Sequence, residues 1–192
     1  MAKLNNYVAY LASITRVPPN EITEIVRALK AQSDHFKDGD FDPTAEFRAR
    51  SGPGGGVDVT PFHVAFLLIA LMVNANRRDT AVMSWRGYSL KFGGRRAAWR
   101  GEEPTIPTCP ITGETMFGAA LTKCIASPTE YPVKWVRLAV REDHGARGDW
   151  AEIHFDDGTK TRFGKDESRG FERVGEIDGQ TIQVASQMAN VN

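Results

Sequence analysis

The sequence predicts an α+β protein: a helical N-terminal part carrying a helix-turn-helix-like pair, then a small antiparallel sheet with flanking helices. Three observations carry this. Apolar residues recur at helical spacing through the first third of the 192-residue chain. The period shortens to two between residues 133 and 163. A stretch with three prolines, at 102–110, separates the two patterns. The expected organisation is a helical part over 1–76, a basic aromatic connecting segment over 77–110 and an α+β part over 111–192 with a three-stranded sheet.

The elements follow in order. Leu4, Tyr7, Val8, Leu11 and Ile14 fall on one face of a helix at about 4–15. Val17-Pro18-Pro19-Asn20 breaks it, and proline in a first turn suits the start of a second helix. There Ile22, Ile25, Val26 and Leu29 form one apolar stripe, with Glu21 and Glu24 leading and Arg27 and Lys30 following, as the helix dipole prefers. Residues 33–59 are polar and turn-rich. Five of the nine residues from Arg48 to Gly56 are Gly or Pro, the composition of a flexible loop. Thr60 and Pro61 supply an N-cap and a first-turn proline for a helix at 61–74. That helix is apolar nearly all round, so it belongs at the centre of a bundle. A short helix is expected at about 112–125, with Met116, Phe117, Ala120, Leu121 and Cys124 on one face. Val133–Arg141 and Trp150–Phe155 alternate, and Asp156-Asp157-Gly158 turns the chain back into Thr159–Phe163. Ile182, Ala185, Met188 and Ala189 suggest a closing helix.

Composition limits function. Hydrophobic residues are 41% and charged residues 25%, the make-up of an ordinary folded protein and not of a disordered or disulfide-stapled one. Twenty-four bases balance twenty-four acids, so any basic binding surface must be local. The longest apolar run, Val64 to Val73, is ten residues, half of a membrane span. Cys109 and Cys124 fit neither a disulfide framework nor a zinc pattern. They are expected to be reduced thiols of a cytoplasmic protein, with Cys124 as core filler.

The strongest functional signal lies at 77–100. Arg77, Arg78, Arg86, Lys91, Arg95, Arg96 and Arg100 stand against the single acid Asp79, a net +6 in twenty-four residues. Trp85, Tyr88, Phe92 and Trp99 are interleaved with them. Cations can contact phosphates while aromatics stack on bases or pack under the arginine stems. The plainer alternative is a solvated basic face over buried aromatics. Arg48 and Arg50, beside the glycines, read either as a basic arm able to enter a groove or as part of a connector. The same loop fails as a nucleotide loop, since Gly56 is followed by Val57-Asp58 and no lysine. No cofactor is called for.

The other candidates are weaker. His35, His63, His144 and His154 show no ligand spacing. His154 followed by Asp156 and Asp157 sketches a base–carboxylate pair, but a histidine on the wet face of a strand explains it as well. Asp34, Asp38, Asp40 and Asp42 miss the register of a calcium loop and read as turn acids. No nucleophile, base and charge stabiliser come together, so the sequence does not read as an enzyme.

Ile25-Val26-Arg27-Ala28-Leu29, the loop ending Gly54-Gly55-Gly56, Val59-Thr60-Pro61, the run Ala65–Leu71 and the closing Ile177-Asp178-Gly179-Gln180-Thr181-Ile182 together resemble a loosely defined set of uncharacterised phage and prophage proteins of alphaproteobacteria. These read as a helix-turn-helix-like unit, an Arg/Gly loop and an apolar helix opened by Thr-Pro. The resemblance spans 20–75 and 175–190. The sequence departs from it at Gln32-Ser33-Asp34-His35, where a basic residue and a Gly-Leu-Ile step usually end the second helix. It implies a mobile-element context and no catalytic residues.

The expectation is therefore a small DNA-binding, regulatory protein of phage or mobile-element origin. Its partner is nucleic acid, or else an acidic or nucleic-acid-binding host protein, with no membrane; a homodimer is compatible with the sequence. The alternative is a phage-encoded inhibitor or adaptor that docks on a host protein. Glu21 and Glu24 stand where a recognition helix would meet phosphates. The affinity is accordingly expected from Arg95, Arg96 and Arg100 more than from the second helix.

Overall fold

The computed structural model describes residues 3–31, 36, 42–48, 56–94, 107–140, 148–165 and 174–189. Its helices are α1 (Leu4–Thr15), α2 (Pro19–Ala31), α3 (Pro61–Val73), α4 (Thr80–Tyr88), α5 (Phe117–Ala126) and α6 (Gly179–Ala189). Its strands are β1 (Val133–Ala139), β2 (Trp150–Phe155), β3 (Lys160–Gly164) and β4 (Gly175–Asp178). The α+β expectation holds, with four helices in the first half and a small antiparallel sheet after them.

Helix α1 buries Leu4, Tyr7, Val8 and Leu11, as their spacing requires. It stops where Arg16 turns left-handed (φ 59°). Helix α2 opens on Pro19 and buries Ile22, Val26 and Leu29. The Tyr7 and Tyr10 hydroxyls donate to the Ala185 and Val184 carbonyls, at 3.3 and 2.8 Å, tying α1 to the last helix. Helix α3 is buried from His63 to Ala70 because α2, α4, α5, α6, β1 and β4 all pack on it. Uniform apolarity is thus the mark of a helix with neighbours on every side.

The sheet order is β3-β2-β1-β4, antiparallel throughout. Residues 133–139 pair with 150–155 as expected, and Gly158 (φ 85°) makes the turn to β3. The expected three strands become four. Strand β4 pairs Ile177 with Val136 and Glu176 with Arg137. Four residues with one apolar side chain at mid-strand carry too little alternation to be seen in the sequence. The inner face, with Val136, Leu138, Ala151, Ile153 and Phe163, is buried in the same hydrophobic cluster as Leu11, Leu29, Phe66 and Leu121. Gly87 of α4 comes so close to Ile69 and Leu138 that an added Cβ would lie 3.1 Å from each.

Two further differences concern 77–126. The segment read as a connection contains α4, whose Ala81, Met83, Ser84 and Gly87 are buried. Helix α5 begins at Phe117, not near 112, because Cys109–Gly113 closes a turn first. In that turn Gly113 is left-handed (φ 75°) and its N–H donates to the Cys109 carbonyl at 2.8 Å. Among the described residues no helix is long and apolar enough to cross a membrane.

Candidate nucleic-acid interface

Of the predicted basic residues, Arg50, Arg95, Arg96 and Arg100 lie outside the described residues, as does Trp99. The others have divergent fates. Arg48 pairs with Asp42, whose carboxylate also accepts from the Thr44 N–H at 2.9 Å and so caps the 3-10 helix Pro43–Phe47. Arg77 reaches Glu24 of α2 at 3.1 Å, and the same carboxylate pairs with Arg27. Arg78 is exposed. Arg86 turns inward: its Nη2 lies 2.7 Å from Asp149 Oδ2, with the two side chains 16% and 2% exposed. Lys91 is exposed.

The described aromatics of the segment, Trp85, Tyr88 and Phe92, pack against the core. Trp85 stacks on Tyr88 with centroids 5.5 Å apart, and Tyr88 meets Phe62 and Phe66. Phe92 packs edge-on against Phe163 of β3. Of the two roles open to them, packing describes Tyr88 and Phe92.

What the segment does reach is the sheet. After α4 the backbone runs along the free edge of β3, where the Gly164 N–H donates to the Lys91 carbonyl at 2.8 Å and Phe92 bridges Phe163. Lys91 therefore joins the side chains of β3.

The outer face of that sheet is an ordered array that the sequence reading missed. One row runs Glu176–Arg137–Glu152–Arg162 across all four strands, and the next runs Asp178–Trp135–His154–Lys160. Opposed residues on one face lie within about 5.5 Å of one another, so charges of alternating sign hold the register. Arg137 pairs with Glu176 and lies over the Trp135 ring, Cζ to centroid 4.3 Å. His154 stacks on Trp135, centroids 3.2 Å apart and planes 21° apart. Arg162 lies over Trp150 at 5.2 Å. Glu152, 11% exposed, is approached by His154 Nε2 at 3.2 Å, Arg162 Nε at 3.5 Å and Lys160 Nζ at 3.9 Å. The available signal was the polar phase of each strand: Trp135 and Arg137 alternating with Val136 and Leu138, Lys160 and Arg162 alternating with Thr161 and Phe163.

Charge is graded across this face. At the β3 side, Lys160 and Arg162 share the Glu152 carboxylate, with Lys91 and Lys165 exposed nearby; at the β4 side, Glu176 stands opposite Arg137 and Asp178 opposite Trp135.

His35 and His144 lie outside the described residues; the other two histidines take the plainer roles. His154 belongs to the array just described. His63 is buried; the Thr60 N–H donates to its Nδ1 at 3.2 Å, and its Nε2 lies 2.8 Å from the Glu46 carbonyl, which makes Nε2 the protonated nitrogen. Burial holds its pKa below the ordinary 6.5 against the pull of the Glu46 carbonyl. Cys124 is buried and its thiol is pushed up to about 12 by burial, which suits a core residue and not a nucleophile. Among the described residues no three His, Cys, Asp or Glu side chains gather as a metal site would need. The chain matches no protein-family model, no curated protein and no solved structure.

Proposed function

We propose that the protein binds nucleic acid, DNA in the first place, as a small regulatory protein of a phage or other mobile element, and that contact is made through the β3 side of the sheet. The observation that supports this most is the gathering of four exposed cations, Lys91, Lys160, Arg162 and Lys165, along β3 and the chain joined to it, where the largely buried Glu152 carboxylate is reached by Lys160 and Arg162. Phosphate binding needs such a local surplus in a protein of zero net charge. Arg95, Arg96 and Arg100, outside the described residues, follow Gly94 and continue the basic run of the sequence. Helix α2 is not the contact surface: Glu21 is exposed, and Glu24 already engages two arginines.

The test is binding of labelled DNA, offered as single strand and as duplex, at two salt concentrations. Binding should weaken with salt, and replacing Arg95, Arg96 and Arg100 with Ala should flatten that dependence by about one per lost phosphate contact. Absence of binding to either form rejects the proposal.

One observation favours the alternative, a protein-docking inhibitor or adaptor: near β4 the face is balanced, Arg137 lying between Glu176 and Glu152. In that case one stoichiometric protein partner would be recovered from lysate after nuclease treatment.

A further inference from the structure

Resting on this assignment of the sheet as the contact surface, we infer that the preferred ligand is a single strand, laid along β3 with its bases against the Arg–Trp layers of the outer face. Shape argues first. Four strands at about 4.8 Å spacing make a face roughly 14 Å across. Undistorted B-DNA offers grooves of about 12 and 6 Å, sized for a helix, an arm or a two-stranded ribbon, and a broader sheet enters only where the duplex is bent open. Among the described residues, the groove-sized elements do not offer the cations. Helix α2 is led by acids, and α4 commits Arg86 to Asp149.

Chemistry argues second. Lys160 and Arg162 are 62% and 42% exposed and stand two residues apart on one strand face, about 6.8 Å along it. That is a step suited to successive phosphates of an extended strand. Beside them Arg162 lies on Trp150, and Arg137, 44% exposed, lies on Trp135. A guanidinium layered on an indole is a platform for an unpaired base. A duplex, whose bases are stacked on one another, presents no such plane.

The experiment measures anisotropy of a labelled oligothymidylate of about 12 nucleotides, within the site sizes such surfaces cover. It is titrated alone and after annealing to oligodeoxyadenylate. The single strand should bind about tenfold tighter than the duplex. Arg162→Lys keeps the charge and removes the planar layer. It should weaken single-strand binding several-fold more than duplex binding, while Lys160→Gln should weaken both alike and reduce the salt slope. Thermal unfolding of each variant by circular dichroism confirms that the fold persists. Duplex bound as tightly as single strand, or an Arg162→Lys variant indistinguishable from wild type, overturns the inference while nucleic-acid binding itself stands. If neither form binds, the functional assignment has failed and the inference with it.

Discussion

Arg86 and Arg162 each meet a carboxylate on the sheet, yet the two settings have little in common. Arg86 approaches Asp149 at 2.7 Å where α4 crosses the start of β2, and both groups are removed from water. Arg162 stands 3.5 Å from Glu152, is 42% exposed and shares that carboxylate with His154 and Lys160. A desolvated charge whose partner is removed is costly, whereas a screened surface pair contributes about 0–1 kcal/mol. Charge density along the chain does not separate these cases. The contrast teaches that two arginines on carboxylates of the same region can serve different ends, one structural and desolvated, the other exposed to contact.

Substitutions can break or sharpen that contrast. The largest effect is expected at the α4–β2 junction. Asp149→Ala leaves the Arg86 cation without its carboxylate and should cost about 3–5 kcal/mol in chemical denaturation. A loss below about 1 kcal/mol would put the pair on the same footing as the surface array. Gly164→Ala comes next. Gly164 is left-handed (φ 75°), and an added Cβ would collide with the Asp149 carbonyl, so about 1–3 kcal/mol should be lost.

His63 provides a milder test through pH. Its folded pKa lies below 6.5, so the unfolded chain takes up its proton first as pH falls. The stability of the neutral imidazole is fully present above about pH 6.5 and is lost as pH falls from there through the lowered folded value. The unfolding midpoint should drop over that window, and less so in His63→Gln. The smallest effects belong to the surface. Arg77→Ala and Arg48→Ala should each change stability by less than about 0.5 kcal/mol, being exposed partners of Glu24 and Asp42. A large loss in Arg48→Ala would identify the Asp42 contact as a structural anchor of the turn before α3.

Much of the fold was legible because its signals are local. The stripes of α1 and α2, the Thr60-Pro61 start of α3 and the Asp-Gly turn between β2 and β3 are each written within a few residues. Helix α4 was obscured because Arg86 and Trp85 look like surface chemistry until Asp149, sixty-three residues away, is brought beside them. The candidate interface was half legible. The basic run was plain in the sequence. That it joins β3, and so gathers Lys160, Arg162 and the two tryptophans, depends on strand pairing that no window of sequence contains.

The joining of Lys91–Gly94 to β3 also bears on aggregation. An antiparallel sheet ends in two rows of unpaired backbone groups, and either row can template growth of an aggregate. On β3, the Gly164 N–H is already taken by Lys91 and the Arg162 carbonyl accepts from the Gly93 N–H at 3.5 Å. The rest of that edge carries Lys160, whose desolvation against a second sheet would be unfavourable. On the other side β4 is only four residues long, and Gly175 is pressed against Met72 of α3. The cations proposed to meet phosphates would thus also act as gatekeepers against fibre formation, so neutralising them for a binding assay should raise the tendency of the concentrated protein to aggregate.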